Sequence, residues 1–220
     1  MDRAILFVDG SNWYHGCASL GLEDLGRLDF ARVSRRLVRH RDWLATRYYV
    51  GRVPESVNRR LAASQQRFLR FLRSCDPRIA VRLGRIEPRE ARSEAAAELR
   101  RYLADLRFGI NPTVYRDLPK IATKYAVARV MVEKSVDVQI AVDMVVMAER
   151  NEYETAYLLS ADSDLTPAVE VVVASGKQVF VASPLSGARL ASVCSSYIRL
   201  EKPWFSDVYS SGPRGLGHRA

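Results

Sequence analysis

The chain has 220 residues and is 48% hydrophobic, so it can form one large domain or two small ones around a packed core. Its formal net charge of +9 favours an anionic partner. Its three cysteines lie far apart, which argues against a disulfide framework and a Cys-x-x-Cys zinc site. No apolar run reaches membrane-spanning length, and the first residues lack a secretory pattern. We therefore expect a cytoplasmic protein with free thiols and no membrane partner.

The positive charge is concentrated between Arg32 and Arg107. This stretch has 20 Arg and no Lys against 8 Asp plus Glu, a net charge of +12, so the rest of the chain is slightly acidic. Arginine binds phosphate with two parallel hydrogen bonds and stacks on bases, which favours a phosphate-bearing partner. The alternative is that a GC-rich genome encodes arginine where other genomes encode lysine.

The first predicted elements form the start of a βαβ unit. Residues 4–8 are a short apolar run typical of a buried strand, and the run ends at Asp9 and Gly10. Ser11 and Asn12 can cap the helix that follows, from residue 13 to about 20. Asp9 is therefore expected at the carboxyl end of a strand, although it can also simply open a turn with Gly10.

Helices and strands then alternate along the chain. The predicted helices are 30–38 and 56–72, and the predicted strands are 45–53 and 79–86. Residues 88–120 look like an insertion, with a helix over 93–106 and a Gly- and Pro-containing loop over 108–119. Residues 124–133 alternate again and predict a strand that pairs antiparallel with 79–86 in a long hairpin.

The second half of the chain brings two further acidic positions. Ser135 can cap a helix over 136–150, which places Asp137 in its first turn, where a carboxylate meets the positive end of the helix dipole. Asp143 lies on another side of this helix, and an internal polar role is favoured for it over a ligand role. Residues 155–159 predict a buried strand, and Asp162 and Asp164 follow it.

The remaining elements are shorter. A helix with Pro167 in its first turn is expected to end near Gly176, followed by a strand over 177–182. A weak helix over 183–194 and an edge strand over 197–200 come next. From Lys202 onwards the sequence is rich in Ser, Gly and Pro, and we expect a flexible tail over 202–220 with little core.

These acidic positions predict a metal site. Ligands of open α/β sheets bind at the carboxyl ends of the strands, where the carboxylates are expected to meet. Such a cluster is unfavourable unless a cation neutralises it, and Mg²⁺ or Mn²⁺ suits oxygen ligands. With an Arg-rich surface nearby, the coherent substrate is a nucleic-acid backbone. The four carboxylates are Asp9, Asp137, Asp162 and Asp164.

Three motifs carry a resemblance to a known family. They are Phe-Val-Asp-Gly-Ser-Asn at 7–12, Glu-Lys-Ser-Val-Asp-Val at 133–138 and Leu-Ser-Ala-Asp-Ser-Asp-Leu at 159–165. In order and spacing they resemble the NYN domain family, in the LabA/DUF88 branch of the PIN-like nucleases, over about residues 3 to 200. The resemblance implies a PIN-like, Rossmann-like α/β fold, a mostly parallel sheet with helices on both faces. It also implies a metal-dependent ribonuclease, with an endoribonuclease as the expected type.

The resemblance also implies roles for single residues. The four aspartates would hold the metal, Asn12 would be the polar residue of the first motif, and Lys134 the basic residue beside the third acid. The chain departs from the family pattern at Ala161 and Ser135, where the family usually has glycine. A methyl group at position 161 would disturb a turn that needs positive φ. Six arginines are expected to hold RNA: Arg59, Arg67, Arg70, Arg73, Arg82 and Arg85.

The sequence lacks the signatures of other nucleotide-binding classes. The chain has neither the Gly-x-Gly-x-x-Gly pattern of dinucleotide-binding proteins after its first strand nor a phosphate-binding P-loop. The serious alternative to a ribonuclease is a non-catalytic RNA-binding or adaptor protein of the same fold. We expect one nuclease domain over residues 1–201, single-stranded RNA as the partner, and a homodimer as one option for its assembly.

Overall fold

The computed structural model describes residues 2–92, 94–105, 118 and 127–209. The chain divides into two compact units, one formed by Met1–Arg85 with Lys134–Ala220 and the other by Ile86–Glu133. Apart from residue 118, the predicted loop 108–119 lies outside the described residues, and so does residue 93 at the start of the predicted helix 93–106. Among the described residues, none of the helices combines the length and apolar character needed to cross a membrane.

A seven-stranded sheet runs in the order β4-β3-β2-β1-β5-β6-β7. β1 pairs in parallel with β2 and β5, and the pairs β2–β3, β5–β6 and β6–β7 are parallel as well. This confirms the predicted α/β class and the predicted neighbours 4–8 and 155–159. The strands are β1 (Arg3–Asp9), β2 (Asp42–Arg52), β3 (Ile79–Arg92), β4 (Val127–Lys134), β5 (Thr155–Leu159), β6 (Gln178–Ser183) and β7 (Ser196–Arg199).

Seven α-helices connect the strands in the described part of the chain. Their bounds lie within a few residues of the predicted ones, except that the helix predicted over 183–194 is reduced to the single turn Ala188–Ala191. β4 neighbours β3 as predicted, while the antiparallel direction of that pair stays a prediction. The helices are α1 (Gly10–Ser19), α2 (Phe30–Val38), α3 (Arg59–Cys75), α4 (Glu94–Asp105), α5 (Val136–Glu149), α6 (Thr166–Ala174) and α7 (Ala188–Ala191).

β1 lies at the centre of the sheet, and alternate side chains of this strand enter two different cores. Leu6 and Val8 pack with residues of α1, α2 and α3, whereas Ile5 and Phe7 pack with residues of α5 and α6. Both faces of the strand are therefore covered, which explains why its sequence is a continuous apolar run rather than an alternating one. The helices lie on both faces of the sheet, as the sequence predicts.

Two glycines allow helices to approach the sheet closely near its carboxyl edge. A Cβ atom on Gly10 would lie 2.6 Å from Tyr48 Cε1 and 2.7 Å from the Tyr49 carbonyl oxygen. A Cβ atom on Gly84 would lie 2.6 Å from Val136 Cγ2. Both distances are too short for any side chain, so only glycine permits the observed starts of α1 and α5.

The expected tail is packed in its first part. Lys202–Phe205 forms a 3₁₀ turn, and both Phe205 and Val208 are buried in the core. The Phe205 ring lies 5.8 Å from the Trp13 ring, and this aromatic contact fastens the segment to α1. The expectation of a tail with little core is therefore wrong for residues 202–208. Residues 210–220 lie outside the described residues.

A polar contact fastens α5 to β2 beneath the carboxyl edge. Asp143 Oδ2 accepts hydrogen bonds from Arg47 Nη1 at 2.8 Å and from the Tyr49 hydroxyl at 2.7 Å. Burial, followed by the hydrogen bond to Asp143, raises the pKa of the Tyr49 phenol above its ordinary value, so the hydroxyl stays a donor at neutral pH. Asp143 therefore has the internal polar role that the sequence favours.

We expect Asp143→Asn to lower the free energy of unfolding by ~1–3 kcal/mol, because Arg47 loses its carboxylate partner in a partly buried place. Urea unfolding followed by circular dichroism measures this change. Glu149→Gln, an exposed acid on the same helix, is the control and should change stability by less than about 0.5 kcal/mol. Equal stability of the two variants would contradict the structural role of Asp143.

Candidate metal centre

Asp9 is the buried member of the candidate site. It is the last residue of β1, only 3% exposed, and it caps α1 itself, because its Oδ1 accepts the Asn12 N–H at 3.1 Å. The predicted caps Ser11 and Asn12 are therefore wrong, and the helix begins at Gly10. The Oδ2 atom of Asp9 accepts a hydrogen bond from the Ser160 hydroxyl at 3.0 Å. Both carboxylate oxygens are thus held in one orientation.

Asp162 lies in the loop that follows β5, the strand next to β1. Its backbone N–H donates to Ser160 Oγ at 3.1 Å, so one hydroxyl connects it to Asp9. Its Oδ1 accepts the Asp164 N–H at 2.9 Å and caps the 3₁₀ turn Ser163–Leu165. The Ala161 N–H donates to Asn12 Oδ1 at 2.9 Å, which ties the same loop to α1. The loop after β5 is therefore positioned by hydrogen bonds from two directions.

Asp137 reaches the site from the other side of the sheet edge. It is the second residue of α5 and is exposed. Ser135, directly before the first residue of α5, has φ of +74°. Its side chain makes no capping hydrogen bond, so the predicted Ser135 cap is wrong. A non-glycine residue in this conformation is strained by about 1–2 kcal/mol. Ala161, the other position where the family usually has glycine, does not have a positive φ. Its methyl group is therefore accommodated without this strain.

The three acids converge at one point. One carboxylate oxygen from each of Asp9, Asp137 and Asp162 lies within 4.8 Å of the other two. Ligand oxygens about 2.1 Å from a magnesium ion are themselves about 3–4 Å apart. A small closure of the side chains would bring these oxygens to that spacing. The donor set is entirely carboxylate, which suits a hard divalent cation such as Mg²⁺ or Mn²⁺.

The electrostatics of the cluster favour a cation. Two carboxylates 4.8 Å apart repel each other by ~1–3.5 kcal/mol for effective dielectric constants between about 80 and 20. The positive ends of helical segments offset part of this repulsion, because Asp9 caps α1, Asp137 lies in the first turn of α5, and Asp162 caps the 3₁₀ turn. A divalent cation would neutralise much of what remains.

The other residues predicted for the site have different positions. Asp164 is exposed and lies outside the group of three converging acids. Lys134 is exposed at the end of β4. The Asn12 amide oxygen accepts the Ala161 N–H and so holds the loop after β5. Arg82 is exposed on β3, two strands away from Asp9. The two residues lie at the same level of the sheet, because Tyr49 on the intervening strand β2 pairs with each of them.

The remaining predicted arginines are also exposed. Arg59, Arg67, Arg70 and Arg73 lie on α3, and Arg85 lies on β3. Sequence reasoning did not identify the role of Ser160, which bonds to both Asp9 and the backbone of Asp162. The signal available in the sequence was its place directly after β5, where the strand register brings it beside the end of β1.

Comparison with known proteins gives the family. The profile of the NYN domain family matches residues 3–201, nearly the whole chain. The chain therefore belongs to the NYN domain family, a family of PIN-like nucleases. No match was found among curated proteins.

The fold is also found in a solved structure. The chain is similar to VPA0982 from Vibrio parahaemolyticus RIMD 2210633, whose crystal structure is described as that of a protein of unknown function. The TM-score is 0.55 at 16% sequence identity, over 91% of this chain and 94% of the other. At this identity the similarity supports the fold alone.

We expect Asp162→Asn to have opposite effects on stability with and without a divalent cation. In EDTA the variant should have a higher melting temperature than wild type, because one negative charge is removed from the cluster. The amide oxygen of the new asparagine can still accept the Asp164 N–H. With Mn²⁺ at about a hundred times its Kd, wild type should gain ~2.7 kcal/mol and the variant far less. Thermal unfolding in both conditions measures the crossover.

The control for this experiment is Asp24→Asn, the same chemical change at an exposed acid outside the cluster. Asp24 has φ of +52°, a conformation that asparagine tolerates well. It should respond to Mn²⁺ like wild type. An equal response of Asp162→Asn and wild type to Mn²⁺ would exclude a metal site at this cluster.

Proposed function

We propose that this chain is a metal-dependent ribonuclease that hydrolyses RNA phosphodiester bonds at the cluster of Asp9, Asp137 and Asp162. The observation that carries the proposal is the convergence of three carboxylate oxygens within 4.8 Å at the carboxyl edge of the sheet of an NYN domain. We further propose Mg²⁺ or Mn²⁺ as the cofactor and membership in the LabA/DUF88 branch.

Hydrolysis adds water to the phosphorus atom and breaks one ester P–O bond. One fragment keeps the phosphate, and the other gains a hydroxyl group. A divalent cation held by the three aspartates would lower the pKa of water and stabilise negative charge on the phosphoryl oxygens. Asp9 is suited to a fixed ligand position, because hydrogen bonds from Asn12 and Ser160 restrict both of its oxygens.

The chain's other residues have supporting roles in this proposal. Ser160 and Asn12 keep the loop after β5 in register with the end of β1, which holds Asp162 opposite Asp9. Asp164, next to Asp162, would bind a water molecule or a second cation at the exposed rim of the site. Lys134 would offset phosphate charge with its ammonium group.

The arginine-rich surface is the proposed RNA-binding element. Phosphate groups approaching three aspartates are repelled, and guanidinium groups on the same molecule counteract this repulsion. Arg82 is suited to this role by its exposure at the level of Asp9. The RNA-binding residues proposed are Arg59, Arg67, Arg70, Arg73, Arg82 and Arg85.

We expect wild type to cleave labelled single-stranded RNA with Mn²⁺ or Mg²⁺ and to lose this activity in EDTA. Asp162→Asn keeps the size of the side chain but removes a ligand charge, so cleavage should fall by at least about a hundredfold while the fold persists. Gel analysis of the RNA measures cleavage, and circular dichroism verifies folding.

Two variants control for charge and for stability in this experiment. Asp24→Asn should cleave like wild type, and Asp143→Asn should cleave like wild type at temperatures where it is folded. Equal cleavage by wild type and Asp162→Asn would assign the activity to another site or a contaminant. RNA binding without cleavage by wild type would favour the non-catalytic RNA-binding or adaptor protein.

A further inference from the structure

A second feature of the same unit is a basic cleft between α3, the end of β2 and Leu83 of β3. Its volume is about 420 Å³, within the ~300–1,000 Å³ range of small-molecule sites. We call it the α3 cleft. Its lining residues are Arg52, Val53, Gln65, Gln66, Leu69, Arg70, Arg73 and Leu83.

In the part of the chain that the structure describes, the charged residues that line the α3 cleft are all arginines. Arg52, Arg70 and Arg73 are its charged lining residues, and all three are exposed. Within the described parts of the chain, none of the three forms an ion pair with a carboxylate, whereas Arg3, Arg35, Arg41, Arg47 and Arg78 all do. These three guanidinium groups are therefore available to bind an anion from outside, and phosphate matches their paired N–H groups.

The floor of the α3 cleft is apolar. Leu69 is buried at 6% exposure, but Leu83 is 42% exposed, which is unusual for a leucine in a parallel strand. An apolar surface bordered by guanidinium groups fits a nucleobase, which has apolar faces and stacks on apolar side chains and on arginine. The Gln66 amide lies in the same lining, and its Nε2 donates to Glu55 Oε1 at 3.4 Å. Its Oε1 and its second N–H can bond to the polar edge of a base.

The wall of the α3 cleft is held in place by Gln65. Its Oε1 accepts the Val53 N–H at 2.9 Å, and its Nε2 donates to the Gly51 carbonyl at 2.7 Å. This pair of hydrogen bonds fastens α3 to the end of β2. Asn58 caps the helix by accepting the Leu61 N–H at 3.0 Å. The cleft is therefore formed by rigid elements rather than by a mobile loop.

The lining of the α3 cleft includes Arg52 at the end of β2, at the same sheet edge as the aspartate cluster. Tyr49 on β2 pairs with Asp9, and Arg52 lies three residues further along the strand, a distance of about 10 Å. One RNA strand can therefore extend from the cluster to the cleft without leaving this edge.

We propose that the α3 cleft binds one unpaired nucleotide of the RNA strand, with the base on Leu83 and Leu69 and the phosphates on Arg70, Arg73 and Arg52. This inference rests on the proposed function, because it takes RNA as the substrate, and it adds a selection for single strands. In a duplex the base faces are stacked on neighbouring bases and cannot contact Leu83. The base contact, rather than charge alone, therefore distinguishes the cleft from a general basic surface.

The test measures binding in EDTA, where cleavage does not occur, with three fluorescently labelled probes. The probes are a short single-stranded RNA, the same strand with abasic riboses, and the same strand annealed to its complement. Wild type should bind the single strand about tenfold more tightly than either other probe. Equal affinity of wild type for the normal and abasic strands would overturn the proposal without any variant.

Two variants separate the base contact from the phosphate contact. Leu83→Ala should lower affinity for the normal strand by about tenfold and leave the abasic strand unchanged. Arg70→Ala should weaken both strands and reduce the log–log salt slope by about 0.7. The controls are Leu61→Ala and Arg60→Ala, which are exposed positions on α3 outside the cleft lining. Variants that bind like their controls would overturn the proposal.

Cleavage by the same proteins with Mn²⁺ separates this inference from the proposed function. If the binding pattern holds and wild type does not cleave, the α3 cleft stands and the ribonuclease proposal fails. If wild type cleaves, and Leu83→Ala and Arg70→Ala cleave with unchanged KM, the ribonuclease proposal stands, but the α3 cleft does not bind the substrate and Arg70 is not one of its RNA-binding residues.

Discussion

The parallel pairing of β1 with β5 at the centre of the sheet is the constraint on which the rest of the structure depends. Because the two strands run in the same direction, Asp9 and the loop containing Ser160 and Asp162 emerge side by side at one edge. The hydroxyl of Ser160 then bridges them. Both strands are buried on both faces, and the loop after β5 is held by the hydrogen bonds from Ser160 to Asp9 and from Ala161 to Asn12.

The three carboxylates of the cluster repel one another, and the fold offsets part of this repulsion. Three helical segments begin at the acids, and the close approach of α5 to the sheet depends on Gly84. The compensation is incomplete, because partial helix charges are smaller than full carboxylate charges. A divalent cation bound at the cluster would offset the repulsion that remains. The acids lie at the centre of the sheet edge, whereas the arginines lie on α3 and β3.

Much of the fold could be predicted from the sequence, because continuous apolar runs and capped amphipathic helices alternate along it. The convergence of Asp9, Asp137 and Asp162 followed from their places at strand and helix ends. Backbone detail could not be predicted in this way. The positive φ of Ser135 and the capping role of Asp9 depend on how α5 and α1 approach the sheet. These approaches are set by tertiary packing, which a single sequence pattern does not report.

The measurement that tests the central claim most directly is a crystal structure grown with Mn²⁺ and recorded at the manganese absorption edge. We expect an anomalous difference peak between the carboxylates of Asp9, Asp137 and Asp162, with oxygen ligands at about 2.0–2.3 Å. The three side chains should move closer together than the 4.8 Å limit they satisfy here. Well-ordered carboxylates without a peak between them, at Mn²⁺ concentrations in the millimolar range, would contradict the account.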